Sequence, residues 1–313
     1  MSGAGPIDLQ AVVDEVFAYV ETYRGHGHVA SYIPALAEAD TRKLGLAVVL
    51  NDGSSFTAGD ADEAFPIQSV ANVFSLSLAL QQVGAILWNH VGREAAGSPY
   101  NSLFQLEAQK GKPRNPLMNA GAIVVGDHLI GTDSADVAVS ELLDFLRDGA
   151  GDESLAIDES VAMSESQAGH WNRSLAHFMA AAGNLHHPVE EALSIYFRQC
   201  AISMSCTQMA RAALYLANDG QHPLTGEAVL TASKCRRILS LMLSCGHYDV
   251  SGDFAFRVGL PGKSSTSGAI LAIVPRVGAV AVWSPGLTES GISLAGTVAL
   301  ERLVERTGWS IFA

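Results

Sequence analysis

The order in which the hydrophobic period changes along the chain constrains its fold more than any other feature. Strand-like segments around turn signals sit near both ends, and helical periodicity fills the middle. Residues 8–24 carry Leu9, Val12, Val13, Val16, Phe17 and Val20 at helical spacing, with Asp8 in the capping position and Gly25 past the end. Residues 46–50 and 54–58, around Asn51-Asp52-Gly53, predict a β-hairpin. Helical patterns run from 69 to about 92 and through most of 100–245, clearest over 136–148, 174–182, 189–200, 207–218 and 231–243. A second strand pair, 269–274 and 278–283, flanks Pro275-Arg276-Val277, and a last helix covers about 293–305. This order predicts an α+β fold: one central antiparallel sheet from N- and C-terminal strands, helices outside it, and an inserted all-helical lobe. Parallel β-α-β alternation does not fit. A single domain is expected, with a sheet lobe over about 1–68 and 246–313 and a helical lobe over about 69–245.

Of the 313 residues, 48% are hydrophobic, enough for a large core and too many for a disordered chain. Nineteen basic against 32 acidic residues give a net charge of −13, which opposes partnership with nucleic acid or an anionic membrane surface. The most apolar stretch, 269–283, is interrupted by Pro275 and Arg276 and cannot span a bilayer. The start lacks the basic and apolar regions of a signal peptide. Cys200, Cys206, Cys235 and Cys245 form no C-x-x-C pair, as expected of reduced thiols in a cytoplasmic protein.

Chemistry is suggested first at Pro66-Ile67-Gln68-Ser69-Val70-Ala71-Asn72, where Ser69 falls at a helix start. Free N–H groups there can stabilise an oxyanion; equally, Ser69 can be an ordinary N-cap. Asn115-Pro116-Leu117-Met118-Asn119-Ala120-Gly121-Ala122-Ile123 sets two asparagines around a proline before an apolar helix. Glu165 precedes Asn172 by two helical turns if their helix is continuous. Tyr196, Tyr248 and Lys263 lie in Tyr-Phe-Arg-Gln-Cys, Gly-His-Tyr-Asp-Val-Ser-Gly and Pro-Gly-Lys-Ser-Ser. Taken singly, each has a structural explanation: caps, a solvated acid, core phenols with a wet hydroxyl.

Taken in order, with Tyr32 in Tyr-Ile-Pro and with Val91-Gly92-Arg93-Glu94 and Asn101-Ser102, these segments resemble the serine-dependent glutaminases. The resemblance runs from about residue 29 to 310. It implies a fold like that of serine β-lactamases and penicillin-binding proteins, and hydrolysis of L-glutamine to L-glutamate and ammonia through a seryl acyl-enzyme. Carried over by position, Ser69 is the nucleophile, and the backbone N–H groups of Ser69 and Thr266 form the oxyanion hole. Tyr32, Asn119, Glu165, Asn172, Tyr196 and Tyr248 hold the amino acid, Glu165 facing its α-ammonium, and Tyr248 relays a proton. The resemblance implies no metal or organic cofactor, and a homodimer or homotetramer.

The chain departs from the family pattern in two places. Asn72 stands where Ser-x-x-Lys places a lysine, and an amide has no basic lone pair with which to take the serine proton. Lys263 or Tyr248 is then the candidate base. None of the lysines lies three residues after a serine; Lys234 lies three after Thr231, inside a late helix. In Lys263-Ser264-Ser265-Thr266-Ser267-Gly268, Ser265 and Ser267 replace glycines, which would restrict the backbone if those positions require positive φ.

Two other functions remain open at this stage: a catalytically silent amino-acid-binding homologue, and a serine acyl hydrolase acting on another amide or a β-lactam. His26-Gly27-His28 and His186-His187 are conceivable metal ligands, but no third ligand has a recognisable spacing.

Overall fold

The computed structural model describes residues 7–97 and 101–313. Strands β1 (Gly45–Leu50), β2 (Ser55–Gly59), β3 (Phe65–Pro66), β4 (Ala156–Ile157), β5 (Ile202–Met204), β6 (Gly262–Ser264), β7 (Ala269–Val274) and β8 (Gly278–Trp283) form two antiparallel sheets. The larger has the order β2-β1-β8-β7-β6, so the hairpin near the start pairs with the strands near the end, Val48 opposite Val280. Alternation sorts this sheet's side chains. Leu46, Val48, Ile270, Ala272, Val280 and Val282 pack toward the Leu9–Val20 and Leu294–Thr307 helices. Ala47, Val49, Leu271, Ile273, Ala279 and Ala281 join the core shared with the central helices. Both faces of β7 and β8 are therefore covered, which is why they read as unbroken apolar runs.

The expected α+β architecture is present, with strands from both ends meeting in one sheet. Asp8 caps the first helix, its Oδ1 accepting from Ala11 N at 3.1 Å. The single predicted sheet is incomplete, however. A second sheet, of order β3-β5-β4, crosses the helical block. Its strands are two or three residues long, too short to show an alternating pattern. The predicted 207–218 helix is also two pieces, Cys206–Ala212 and Leu214–Ala217.

The small sheet positions the site. β3 pairs with β5, and Ile67 N donates to Ile202 O at 2.9 Å, tying the chain just before Ser69 to the chain just after Cys200. The Phe65 ring stacks on Trp283 at 4.5 Å, and Trp283 Nε1 donates to Ser267 O at 3.0 Å. The serine turn, the end of the Val189–Cys200 helix and the 264–268 turn are thereby held together. No helix among the described residues is long and apolar enough to cross a membrane.

Candidate functional site

Ser69 lies in a 3-10 turn, Gln68–Val70, that leads directly into the Ala71–Gln82 helix. The N-cap position belongs to Val70, with no side-chain capping bond, so the capping explanation of Ser69 falls. The residue before it, Gln68, is held at φ 50°, a left-handed conformation unusual for a side-chain-bearing residue. Such strain persists where surrounding structure enforces it, and it recurs where a nucleophile must be presented at a sharp turn. Ser69 is nearly buried, at 5% exposure.

One helical turn onward, Asn72 is buried as well. Its Oδ1 accepts from Gln199 Nε2 at 3.0 Å and its Nδ2 donates to Leu117 O at 3.4 Å. Both ends of the amide are engaged in structural bonds, and neither can accept a proton at neutral pH. The Thr231/Lys234 pair is structural too: Thr231 caps the Ala232–Cys245 helix, and Lys234 Nζ donates to Leu80 O at 2.6 Å.

Lys263 projects from the edge strand β6 and is fully buried. Its Nζ donates to Tyr248 Oη at 3.2 Å and to the Ser264 carbonyl. Burial lowers the ammonium to about 7, with nearby Cys200 acting in the opposite direction. A substantial neutral fraction is therefore present near neutrality, as a general base requires. Tyr248 is held at φ 57° by its own turn, where Ser251 Oγ donates to Tyr248 O at 2.8 Å.

The residues expected to hold the substrate come from separate elements. A cavity of about 390 Å³ is lined by Tyr32, Asn119, Glu165, Trp171 and Asn172, among others. Asn119 Nδ2 donates to Asn172 Oδ1 at 2.9 Å. Asn119 opens its helix because the Asn115-Pro116 turn is locked in place: Leu117 N donates to Asn115 Oδ1 at 3.1 Å, and Asn115 Nδ2 to Glu94 O at 3.0 Å. Gly121 allows this turn, since a Cβ there would sit 1.9 Å from Asn115 O.

Glu165 and Asn172 line one cavity without sharing a helix. The chain breaks at Gly169 between Glu159–Ala168 and His170–Ala181, so the two-turn spacing on a continuous helix does not occur. Burial raises the Glu165 carboxyl to about 7, while the Gln68 carboxamide pulls the other way. The buried Tyr196 phenol is raised well above its usual range by burial first, then by Cys200, Glu165, Tyr248 and Tyr32 around it. Tyr196 thus stands among the predicted groups. A second cavity of about 360 Å³ adjoins through Tyr32 and reaches Thr266. A larger cleft, about 640 Å³ beside Trp309, contains none of these residues.

The serines of the 264–268 turn are accommodated without strain. Neither Ser265 nor Ser267 has positive φ; only Gly268 does, at 88°. Ser265 Oγ and Ser267 Oγ instead bond each other at 2.8 Å, and Ala269 N donates to Ser265 Oγ at 3.3 Å. Two residues of the site carried no distinctive sequence signal. Gln68 touches Glu165 and also accepts from Thr266 Oγ1 at 3.5 Å, and Gln199 fixes Asn72. Their adjacency to Ser69 and Cys200 in the quoted segments was the available hint. The one cluster of three potential metal ligands among the described residues lies elsewhere, and His26 and His28 are exposed.

Comparison with known proteins shows the family. The family model described as glutaminase matches residues 27–312. The glutaminase of Rhizobium rhizogenes is 53% identical over 305 residues, covering 97% of this chain and 99% of that one. Among solved structures, the probable glutaminase ybaS superposes with a TM-score of 0.92 at 36% identity, over 97% of this chain and 98% of the other. The covalent complex between the Bacillus subtilis glutaminase YbgJ and 5-oxo-L-norleucine, formed by reaction with 6-diazo-5-oxo-L-norleucine, gives 0.87 at 31% identity, over 97% of this chain and 100% of that one.

Proposed function

The chain belongs to the glutaminase family and hydrolyses L-glutamine to L-glutamate and ammonia, and we propose that Ser69, Tyr248 and Lys263 carry the reaction. Ser69 Oγ attacks the side-chain amide carbon, and the C–N bond breaks as the nitrogen takes a proton and leaves as ammonia. Water then adds to the acyl-serine and releases L-glutamate. The N–H groups of Ser69 and Thr266 receive the oxyanion in both steps. The serine proton passes to the Tyr248–Lys263 pair, with Tyr248, the relay that the family resemblance implies, handing it onward. The observation that supports this route is the fully buried Lys263, bonded to Tyr248 at 3.2 Å, in a site where the Asn72 amide has no basic lone pair for the serine proton.

Recognition follows from the cavity. Glu165 faces the α-ammonium, and Asn119, Asn172, Tyr32 and Tyr196 serve the α-carboxylate and the side chain. The family resemblance further supports a homodimer or homotetramer in the cytoplasm, and one catalytic domain with its site between a sheet lobe and a helical lobe. Light scattering on the purified chain reads the first of these directly.

The relative trapped by 6-diazo-5-oxo-L-norleucine suggests the test. Incubation with that compound is expected to leave one 5-oxo-L-norleucine adduct on Ser69, located by peptide mass spectrometry, with matching loss of ammonia release. An adduct on any other residue refutes the assignment of the nucleophile.

Glu165 sets a pH dependence of binding. Its carboxyl, raised to about 7 by burial, is protonated below that value and cannot pair with the ammonium. KM for L-glutamine is therefore expected to rise about tenfold per pH unit as pH falls below 7. Glu165→Gln should raise KM at pH 8 by about 10- to 100-fold, the worth of a charge-assisted hydrogen bond, and flatten its acid limb. A steep acid limb surviving in Glu165→Gln would assign the titration to another group.

A further inference from the structure

Three histidines from distant parts of the sequence meet on the helical side of the molecule, outside the amide-hydrolysing site. His90 follows the 3-10 turn Gly84–Asn89, His128 lies in the last turn of the Asn119–Ile130 helix, and His186 precedes the Val189–Cys200 helix. Their rings pack at centroid distances of 4.8, 4.8 and 5.1 Å, and one ligand atom from each lies within 4.8 Å of the others.

The hydrogen bonds around the trio fix which nitrogens are free to coordinate. His128 Nδ1 lies 2.9 Å from Val124 O, a carbonyl that only accepts, so Nδ1 carries the proton and Nε2 the lone pair. That Nε2 is buried and has no hydrogen-bond partner. His90 Nδ1 lies 3.0 Å from Asn184 Oδ1. The amide's orientation is set because Asn184 Nδ2 donates to His90 O at 2.8 Å and to Gly111 O at 3.0 Å. His90 Nδ1 is then the donor, and its Nε2 also holds a lone pair. Backbone-anchored tautomers of this kind are what metal-ligating histidines display.

The third histidine is placed by a buried carboxylate. Asp127 accepts from His186 N at 2.9 Å through Oδ2, and from His187 N at 2.9 Å and His187 Nδ1 at 3.0 Å through Oδ1. His187 Nε2 faces Gly131 O at 3.2 Å, so His187 is spent on holding the loop, while the exposed His186 ring turns to the trio. Three imidazoles crowded together around an orphaned acceptor, beside a buried carboxylate, make poor packing without a cation between them.

We propose that His90, His128 and His186 bind one late first-row divalent transition-metal ion, zinc being the probe of choice, with water completing a tetrahedron. Imidazole nitrogens suit zinc, copper, nickel and cobalt, and a zinc–nitrogen bond is about 2.0–2.1 Å. The half-buried His90 and the exposed His186 close the remaining gap by small ring movements. The ion would clamp three segments that are distant in sequence. It stands apart from the chemistry at Ser69: His128 is nine residues along its helix from Asn119, about 13 Å at the usual rise. This site does not depend on which group activates Ser69.

The test uses the full chain after treatment with EDTA and gel filtration. Calorimetry with zinc chloride should show one ion per chain, and the melting temperature should rise with zinc. Cobalt(II) should give the intense visible absorption of a tetrahedral nitrogen site. His186→Ala, at an exposed position, should fold normally, keep its basal ammonia release and lose at least about 10- to 100-fold in zinc affinity, the cost seen even for lost supporting contacts. His90→Ala should do the same, whereas His177→Ala, at an exposed position outside the trio, should bind like the parent. Zinc binding of equal strength in the parent, His90→Ala and His186→Ala would place the ion on scattered surface histidines and overturn the proposal, as would absence of stoichiometric binding at micromolar zinc.

Discussion

Ser69→Ala is expected to lower ammonia release from L-glutamine by about 10⁴- to 10⁶-fold, the scale on which a nucleophile and its base act as one unit. Two further expectations make this more than a loss of activity. The first concerns binding: the proposed recognition by Glu165, Asn119, Asn172, Tyr32 and Tyr196 leaves Ser69 out, so calorimetry should find L-glutamine affinity within a few-fold of the parent. The second concerns stability. An N-cap serine replaced by alanine costs about 1 kcal/mol. Ser69, however, makes no capping bond and sits one residue before the helix's flanking position. Its melting temperature should therefore stay that of the parent. A protein that melts lower but turns over glutamine normally would mean that Ser69 is a structural serine and that the nucleophile is elsewhere.

The contrast between these outcomes turns on a point the sequence left open. At Ser69 the same residue pattern suits a cap and a nucleophile, and only the 3-10 turn with Gln68 at φ 50° separates them. The large sheet was legible because β1, β2, β7 and β8 are five or six residues long and form two pairs around clear turn signals. The small sheet was not, since two- and three-residue strands are created by tertiary pairing and leave no period. The site residues were named through family resemblance, by ordered motifs rather than by periodicity. What lay beyond reach was distance: that Lys263 meets Tyr248, that Gln199 occupies Asn72, and that Gly169 breaks the helix joining Glu165 to Asn172. The histidine trio shows the same limit. His186-His187 was visible as a pair, but its partners are His90 and His128, which no fixed spacing connects.

Lys263→Met should damage catalysis and improve stability together. In the proposed role of general base or its immediate support, the lysine is expected to contribute about 10² to 10⁴ in kcat. In the parent, kcat should rise with pH through about 7, where the buried amine becomes neutral, and Lys263→Met should lose that rise along with the rate. Stability moves the other way. The ordinary value of 10.5 falls to about 7 on folding, so between these values the unfolded chain binds more protons and stability increases with pH. Below pH 7 the folded state bears the full disadvantage, at most about 5 kcal/mol on the scale of 1.36 kcal/mol per pH unit. Methionine fills a similar volume without a charge to desolvate. The variant should therefore melt well above the parent at pH 6, with the gap closing toward pH 10, a trend that thermal scans across pH can follow. Adding Asn72→Lys to Lys263→Met restores a basic group one turn from Ser69 and should recover part of the lost kcat. Unimpaired kcat in Lys263→Met, with the stability gain present, would show a buried lysine that is kept for no catalytic reason, and the proton of Ser69 would then have to leave through Tyr248 alone.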